Sequence, residues 1–393
     1  MLLSFLILFI TRGVQASFAV FLLPMSREFG WSLSSLALAA TICMFSTGFS
    51  LPVMGRLADK YGPRTVILVG EGLAGIGILL LAFVQDLLQV YLLYGFLFGL
   101  TWMGCGMIAT TALVSRWFIE RRSLALTVLQ SAFPLGWLCI VPLTQILIRS
   151  YGWRNSWFML GTSIILITLI ASPVLREPGG SSTRHKSDGY EATIPLEKAL
   201  KIPFFLLVGV TIQVICGFTD LPFSTLWVPI SVEFGIDEVT ASYTLGFMAA
   251  MIFLGTVVIG SLSEKLGYKL LLTASYIIRA VSMGIPLLVK SDVGYYIFLV
   301  LLGFSFFGMV PIVSAWLGQV FGERSVGTLF GFSQFIHYMG SAVGVYAFGL
   351  LAEVYKTYHP AFHLCLILTL INILCCLLAR PKAYHRFIIS VKV

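Results

Sequence analysis

Charged side chains are scarce in this sequence. Only 11% of its 393 residues are Asp, Glu, Lys or Arg, whereas 58% are hydrophobic and the mean hydropathy is +0.96. Soluble globular domains carry about a quarter charged residues, which they need to cover a surface that faces water. The composition therefore excludes a soluble globule and indicates a chain that lies within a lipid bilayer.

The alternating segments of a membrane β-barrel, each about ten residues long, are also missing. The hydrophobic runs are instead long, unalternated and rich in Leu, Ile and Gly. Many of them reach the roughly 20 residues that one helical crossing of a bilayer about 30 Å thick requires. We therefore expect an all-α integral membrane protein.

Motifs of enzyme chemistry are absent as well. The sequence has no phosphate-binding loop, no zinc-binding His/Glu pair and no nucleophile elbow. The seven cysteines lie inside hydrophobic runs without metal-ligand spacing, and the net charge of +8 is spread over short loops. We predict that the protein is not an enzyme and has no cofactor, no metal and no nucleic-acid partner.

Twelve hydrophobic runs are long enough to cross the membrane. They lie at about 2–25, 33–54, 65–85, 88–115, 123–148, 155–175, 202–231, 240–260, 269–289, 293–320, 326–351 and 361–379. The polar stretch 176–201 contains Pro, Gly, Ser and mixed charges, which is the composition of a flexible linker. We expect a six-helix half at 1–175, a cytoplasmic linker at 176–201 and a second six-helix half at 202–393.

The two halves repeat each other at an ungapped offset of 205 residues. Identical pairs at this offset include Phe18/Phe223, Pro24/Pro229, Ser26/Ser231, Glu28/Glu233, Phe29/Phe234, Gly30/Gly235, Val53/Val258, Gly55/Gly260, Leu57/Leu262, Lys60/Lys265 and Gly62/Gly267. Because each half has an even number of crossings, both repeats run in the same direction. Parallel repeats of this kind occur in transporters that bind substrate near the midplane and work by alternating access.

The distribution of Lys and Arg predicts the orientation. Most of these cations fall in the loops on the side of the two termini. The cations on the other side are Arg27, Arg149, Arg154, Lys290 and Lys356. Because Lys and Arg are enriched in cytoplasmic loops, both termini and the linker are expected in the cytoplasm, with the chain in the cell membrane.

Two loops resemble a known family. Residues 55–64 read GRLADKYGPR and resemble the signature loop of the major facilitator superfamily, G-x-L-a-D-r-x-G-r-[KR]. Residues 116–125 resemble a segment of its monocarboxylate transporter branch, with Glu120 in place of a Lys, and residues 152–154 fit bacterial members of that branch. The resemblance covers nearly the whole chain. It implies the twelve-helix transporter fold in a monomeric protein.

The resemblance also implies a role for the signature loop. Asp59 would interact with the N-terminus of helix 11, where free N–H groups and the helix dipole favour an anion, while Arg56 and Arg64 hold the loop to neighbouring helices. The complete set of residues in this conformational latch is Gly55, Arg56, Asp59, Gly62, Arg64, Glu264 and Lys265. The alternative interpretation is that these are solvated loop charges.

An ionisable residue inside a membrane crossing costs several kcal/mol of free energy unless it is paired or faces a cavity, so each one is a candidate functional residue. Arg12 lies about halfway along helix 1 with Gln15 on the same face, and Asp220 aligns with Gln15 in the repeat. We predict that Arg12 pairs with Asp220 in the empty protein. An arriving carboxylate would displace Asp220, which then takes a proton. A static salt bridge is the alternative.

Helix 11 supplies a second group of candidates, namely His337 with Gln334 and Tyr338. Imidazole titrates near neutral pH, although a packed, hydrogen-bonded His explains the position equally well. Arg279 in helix 9 and Glu71 in helix 3 belong to helices that the resemblance places at the periphery. We expect both to form structural pairs or to snorkel.

Helix 8 departs from the family pattern. Transporters of the monocarboxylate branch typically carry a substrate-binding Arg there, and the aligned residue in this chain is Thr256. A carboxylate would therefore have to be bound by Arg12 or, failing that, by Arg279.

The sequence as a whole predicts a secondary active transporter of small, monocarboxylate-like organic anions that is coupled to protons. An exporter of amphipathic or drug-like compounds stays open, since a cation exporter would use an unpaired acid such as Asp220. A membrane sensor or scaffold that keeps the transporter fold without transporting is the third possibility.

Overall fold

A computed structural model describes residues 1–118, 122–177, 194–289, 291–306 and 309–379. These residues are almost entirely helical, and the described part of the chain contains no strand. Eleven helices in it are long and apolar enough to cross a membrane. One of them, over 125–174, is broken at Gly152, where φ is 80° and ψ is 161°. The break divides it into two crossings, which accounts for the twelve that the sequence predicts.

In chain order the membrane helices are α1 (Leu2–Phe29), α2 (Leu33–Tyr61), α3 (Pro63–Leu80), α4 (Leu87–Ser115), α5 (125–151), α6 (153–174), α7 (Pro203–Thr225), α8 (Glu238–Leu266), α9 (Tyr268–Leu288), α10 (Asp292–Phe321, residues 307–308 undescribed), α11 (Glu323–Tyr355) and α12 (His359–Leu378). A short helix, Trp227–Glu233, follows α7. We call the end of the bundle that holds residues 62, 194 and 267 the linker end, and the end that holds residues 30, 152 and 235 the distal end. Most of the predicted linker, 178–193, lies outside the described residues.

Side-chain caps mark the starts of α2 and α8. Ser32 Oγ accepts a hydrogen bond from the backbone N of Ser35 at 3.2 Å at the start of α2. Asp237 Oδ1 accepts from the backbone N of Val239 and Thr240 at 3.0 and 3.1 Å at the start of α8. Hydrogen bonds from Thr240 hold the pKa of the Asp237 carboxyl below its usual value. Both residues satisfy N–H groups that the first helical turn leaves free.

Backbone conformation confirms the internal repeat. Gly62 and Gly267, at the offset of 205, have φ/ψ of 84°/143° and 86°/144° and precede α3 and α9. Gly30 and Gly235, at the same offset, both have positive φ, 70° and 81°. Positive φ is strained for residues with a Cβ, so glycine at these four positions is a requirement of the turns.

Side-chain contacts repeat at the same offset. Arg64 Nη2 donates to the carbonyl of Ser172 at 2.8 Å, and Lys269 Nζ donates to the carbonyl of Leu377 at 2.6 Å. Each bond ties the start of the third helix of a half to the end of its sixth helix. The two halves are therefore copies of one structure.

A second repeated contact lies at the distal end. Glu28 Oε2 accepts from Trp153 Nε1 at 2.5 Å, and Glu233 Oε2 accepts from the backbone N of Tyr358 at 2.8 Å. Glu28 lies in the last turn of α1 and Glu233 at the end of the short helix after α7. In each half this carboxylate holds the turn that enters the sixth helix.

The described halves touch each other at the distal end and the midplane, whereas α2 and α11 separate towards the linker end. A Cβ on Gly349 of α11 would lie 2.8 Å from Cβ of Ala37 on α2, and one on Gly48 of α2 would lie 2.6 Å from a side chain of α11. Two helical turns nearer the linker end, a Cβ on Gly55 of α2 or Gly331 of α11 would meet no described atom within 4 Å. α2 and α11 therefore diverge towards the linker end.

Polar contacts fasten the distal end. Arg27 of α1 forms an ion pair with Glu238 of α8, and Ser34 of α2 donates to Glu353 of α11. A Cβ on Gly246 of α8 would lie 3.0 Å from a carbonyl of α5. The structure is thus closed at the distal end and open between α2 and α11 at the linker end.

Candidate functional site

Arg12 lies in the middle of α1 and is only 1% exposed. Its Cζ atom is 4.4 Å from the ring centroid of Trp102 and 5.1 Å from that of Phe133. Its Nη2 donates to Met103 Sδ at 2.7 Å, and its Nη1 has no hydrogen-bond partner among the described residues. The guanidinium is surrounded by two aromatic faces and a sulfur atom.

This environment does not compensate the charge of Arg12. A desolvated cation–π contact contributes about 2 kcal/mol, and a thioether is a weak acceptor. Within the described part of the chain, no carboxylate oxygen lies within 4.0 Å of the guanidinium. Because a buried cation is most stable when an anion is hydrogen-bonded to it, the guanidinium lacks a direct anionic partner.

Tyr338 of α11 completes the site from the second half. Its hydroxyl donates to Met103 Sδ at 3.5 Å, so Tyr338 and Arg12 converge on one sulfur atom from opposite halves. Tyr338 is 6% exposed and packs edge-on against His337. The cation is therefore placed where α1, α4, α5 and α11 meet, at the boundary that alternating access would open and close.

α4 has an unusual backbone at this point. Residues Trp102–Ile108 form a π-helical segment, a wider turn that is rare in proteins and frequently occurs at functional sites. Trp102 Nε1 donates to Thr47 Oγ1 at 2.7 Å, which fixes the indole under the guanidinium. Sequence reasoning missed Trp102, Met103 and Phe133. The one available signal was the Trp-Met pair beside glycines in a helix that the family resemblance places on the cavity.

The predicted pair of Arg12 and Asp220 is wrong. Asp220 forms an ion pair with Arg279 of α9 in the same half, and Cys216 Sγ donates to Asp220 Oδ2 at 3.1 Å. Arg279 Nη2 also donates to the carbonyl of Ser305 at 2.7 Å. Asp220 is turned towards α9, where a cation from its own half reaches it. The expected structural pairing of Arg279 is confirmed.

The repeat explains why the second half has no counterpart of Arg12. The aligned residue is Gly217, where a Cβ would lie 1.9 Å from the carbonyl oxygen of His337. α7 and α11 approach so closely there that no side chain fits. The asymmetry of the site therefore follows from helix packing in the second half.

Gln15 and His337 are buried and Gln334 is partly buried, and no hydrogen bond among the described residues joins them to Arg12. Gln15 is 2% exposed and its Oε1 has no hydrogen-bond partner in the described chain. Gln334 Oε1 accepts from Gln213 Nε2 at 3.4 Å, which is a long contact. His337 is 6% exposed, and its Nδ1 has no partner among the described residues. Their assignment to the site stays a prediction.

The candidate latch is only partly assembled in this structure. Arg64 binds the end of α6 as expected, and its backbone N donates to Glu177 Oε1 at 3.1 Å. Asp59 is exposed and makes no hydrogen bond or ion pair in the described part of the chain, while Arg56 and Lys265 are also exposed. The side chain of Glu264 lies outside the described residues. Contact of Asp59 with α11 stays a prediction, for a state in which the linker end is closed.

Two parallel helical repeats, closed at one end and open at the other around a buried cation, define the architecture of a secondary transporter. The family model of the Major Facilitator Superfamily matches residues 3–345 and 223–392. The chain belongs to the Major Facilitator Superfamily, whose members are transporters and not enzymes.

Relatives and solved structures agree with this assignment. The chain is 27% identical over 368 residues to the "Uncharacterized MFS-type transporter YcxA" of Bacillus subtilis, covering 91% of this chain and 88% of the relative. It is 26% identical over 352 residues to monocarboxylate transporter 13 of Rattus norvegicus, covering 89% and 81%. A bacterial homolog of the human lysosomal transporter Spinster, solved in an inward-facing and unoccupied conformation, matches with a TM-score of 0.71 at 15% identity, covering 100% and 96%.

Proposed function

We propose that the protein transports small organic anions that carry a carboxylate, coupled to protons, by alternating access. The observation that carries the proposal is Arg12, a buried guanidinium at the boundary of the halves with no carboxylate partner and a free Nη1. A carboxylate could accept from Nη1 and Nη2 together, which is the strongest arrangement that Arg offers. Similarity to proteins named monocarboxylate transporters supports the same substrate class.

The walls of the site favour an apolar body on the anion. Trp102 and Phe133 present ring faces to the guanidinium, and Tyr338 and Met103 close the other side. Sugars and dicarboxylates need several hydrogen bonds or a second cation, whereas aromatic and thioether groups suit an alkyl or aromatic chain. We therefore expect monocarboxylates with a hydrophobic body.

Export of drug-like cations is the weaker alternative. A cation exporter needs a buried acid that is free to meet its substrate, and Asp220 was the residue suggested for it. The ion pair with Arg279 removes that support.

We further propose that the linker end faces the cytoplasm of the cell membrane, because its loops hold most of the Lys and Arg. The structure would then represent an inward-open state. A cysteine placed at Lys60, in a protein without native cysteines, should resist an impermeant thiol reagent in intact cells. Labelling from outside would reverse this orientation.

A thermal-shift screen of the purified protein tests the substrate class. We expect pyruvate and benzoate to stabilise the wild type, by about 2.7 kcal/mol at a concentration of 100 Kd, and glucose and tetraphenylphosphonium to have no effect. Arg12→Lys keeps the charge but loses the two-donor geometry, so the shift should shrink. Arg12→Ala should lose it while remaining folded.

Arg149→Ala is the matched control, since it removes an exposed Arg at the distal end and should respond like the wild type. An unchanged benzoate shift in Arg12→Ala would place the anion site elsewhere, with Arg279 or His337 the next residue to examine.

A further inference from the structure

Glu71 is a buried acid that the proposed anion site does not use. It lies in the middle of α3 and is 0% exposed. Thr11 Oγ1 donates to its Oε2 at 2.7 Å, while its Oε1 has no hydrogen-bond partner among the described residues. A Cβ on Gly106 of α4 would lie 2.6 Å from that Oε1, so the backbone of α4 lies directly against the free oxygen. Glu71 does not snorkel, and its structural partner in the described chain is the hydroxyl of Thr11 rather than a cation.

Few ionisable groups face Glu71 from the surrounding helices. α1 contributes Arg12, which interacts with Glu71 electrostatically although no nitrogen of it is within 4.0 Å, and α4 contributes Cys105. α6 has no ionisable residue over 155–175, and α2 has only Cys43 over 33–55. Arg12 is thus the one full charge near the carboxyl in the described structure.

Glu71 and Arg12 are connected through α1. Thr11, which donates to Glu71, directly precedes Arg12 in the chain. Glu71 and the anion-binding Arg12 therefore contact the same turn of α1. A buried carboxylate with one neutral donor depends on a nearby cation to remain ionised. Its charge therefore depends on whether Arg12 is already neutralised by something else.

We propose that Glu71 is the proton-binding residue of the transport cycle, and that it takes up its proton when a carboxylate neutralises Arg12. The inference rests on the proposed function of Arg12. In the empty protein the positive guanidinium and the negative Glu71 carboxylate balance. A substrate carboxylate that binds Arg12 adds one negative charge, and one proton from water that bonds to Glu71 Oε1 removes it. Anion and proton then cross together, and the buried site remains neutral.

The local geometry suits this exchange. The proton goes to Oε1, which has no donor, while Oε2 keeps its hydrogen bond from Thr11. Protonation therefore requires no broken bond at Glu71. Because coupling between two ligands is reciprocal, acid must raise the affinity for the anion by the same factor by which the anion raises the affinity for the proton.

Glu71→Gln provides the test, since the amide oxygen can still accept from Thr11 while the side chain can no longer titrate. In the wild type, benzoate affinity should rise by up to about tenfold for each unit by which the pH is lowered between about pH 8 and pH 6. In Glu71→Gln the affinity should be independent of pH. Uptake driven by a proton gradient should stop, whereas exchange of benzoate for benzoate should continue. Glu197→Gln, an exposed acid in the short helix Leu196–Ala199, should behave like the wild type.

Infrared difference spectra between the benzoate-bound and the anion-free protein at neutral pH supply a direct measurement. A protonated carboxyl band should appear in the wild type when benzoate binds and be missing in Glu71→Gln. If that variant does not fold, Thr11→Val serves instead, and loss of its hydrogen bond should move the pH midpoint of benzoate binding upward. A wild-type pH slope in Glu71→Gln, an unmoved midpoint in Thr11→Val, or identical infrared spectra would overturn the proposal. Benzoate binding that survives Arg12→Ala would instead contradict the proposed anion site, whatever the infrared spectra show for Glu71.

Discussion

Buried charges are arranged in opposite ways in the two halves. In the second half the acid is on the first helix, α7, and the cation on the third, α9, and Asp220 and Arg279 pair directly. In the first half the cation is on the first helix, α1, and the acid on the third, α3, and Arg12 and Glu71 are held apart. The second half thus has a closed, permanent pair. The first half has two groups that can each accept a ligand.

The pair of Asp220 and Arg279 should therefore behave as a structural unit. Asp220→Asn or Arg279→Met alone leaves one uncompensated group in a buried site, and each should destabilise the protein by about 3–5 kcal/mol. The double variant removes both charges and should regain most of that loss. Melting curves of the three detergent-purified variants, compared with the wild type, measure the effect. If Asp220→Asn were as stable as the wild type but lost its pH-dependent binding, the proton would belong to Asp220.

Depth in the membrane could be predicted for these residues, but their partners could not. The position of Arg12 halfway along a hydrophobic run fixes its depth, and burial of Asp220 and Arg279 follows in the same way. Which side chains meet depends on how each helix is rotated about its axis, because successive residues of a helix point in directions about 100° apart. In a helix that is apolar all round, the sequence does not show which face points inward, so this rotation could not be predicted.

At the scale of helices, glycine determines which elements touch. A Cβ on Gly340 of α11 would lie 2.1 Å from the carbonyl of Val214 on α7, and one on Gly344 would lie 2.5 Å from the carbonyl of Phe218. Such close approach of backbones is how small residues stabilise helix pairs in a bilayer. Tyr338 lies next to this contact of α7 and α11, on the side of Gly340 that faces the linker end.

Gly340→Ala should force α7 and α11 apart, because the obstacle is backbone and cannot rotate away. We expect a loss of about 1–3 kcal/mol, in the range of other overpacked cores. Gly284→Ala in α9 is the matched control, since its Cβ would meet no described atom within 4 Å and alanine favours a helix by about 1 kcal/mol. Thermal unfolding of both variants separates the two effects. Equal melting temperatures would show that α7 and α11 can move apart without a loss of stability.

Helix number and order could be read from the sequence because length and hydropathy decide them. The division between α5 and α6 was expected between 148 and 155, and the structure places it at Gly152. The π-helical segments of α4 were not predictable, since a π turn arises from packing and not from a local propensity.

At the scale of the whole molecule, the proposed alternating access requires a second state in which the linker end is closed. α2 and α11 face each other along matching stripes, with Gly48 and Tyr338 in contact at the midplane. Gly55 and Gly331 each lie seven residues, or two turns, nearer the linker end on the same stripes. Rocking of the halves that closes the linker end should bring these two glycines together.

Two disulfide pairs can report the two states in a background without native cysteines. Ala37→Cys with Gly349→Cys should cross-link in the described state, because the two Cβ positions are 2.8 Å apart and a shift of about 1 Å brings them to the roughly 3.8 Å typical of a disulfide. Gly55→Cys with Gly331→Cys should cross-link only when the linker end closes, since a disulfide requires Cα atoms within about 7 Å. Either bond should stop transport, and reduction should restore it.

Ligands should redistribute the two cross-links if the proposed coupling operates. Anion or proton alone leaves an unbalanced buried charge, whereas both together restore neutrality, so the ratio of the pairs should change most with benzoate at acid pH. Gly72→Cys with Gly331→Cys is the control pair, as Gly72 on α3 faces no described atom within 4 Å and should not cross-link under any condition. Transport without any cross-linking of positions 55 and 331 would mean that closure of the linker end does not bring α2 and α11 together, and that another pair of helices closes it.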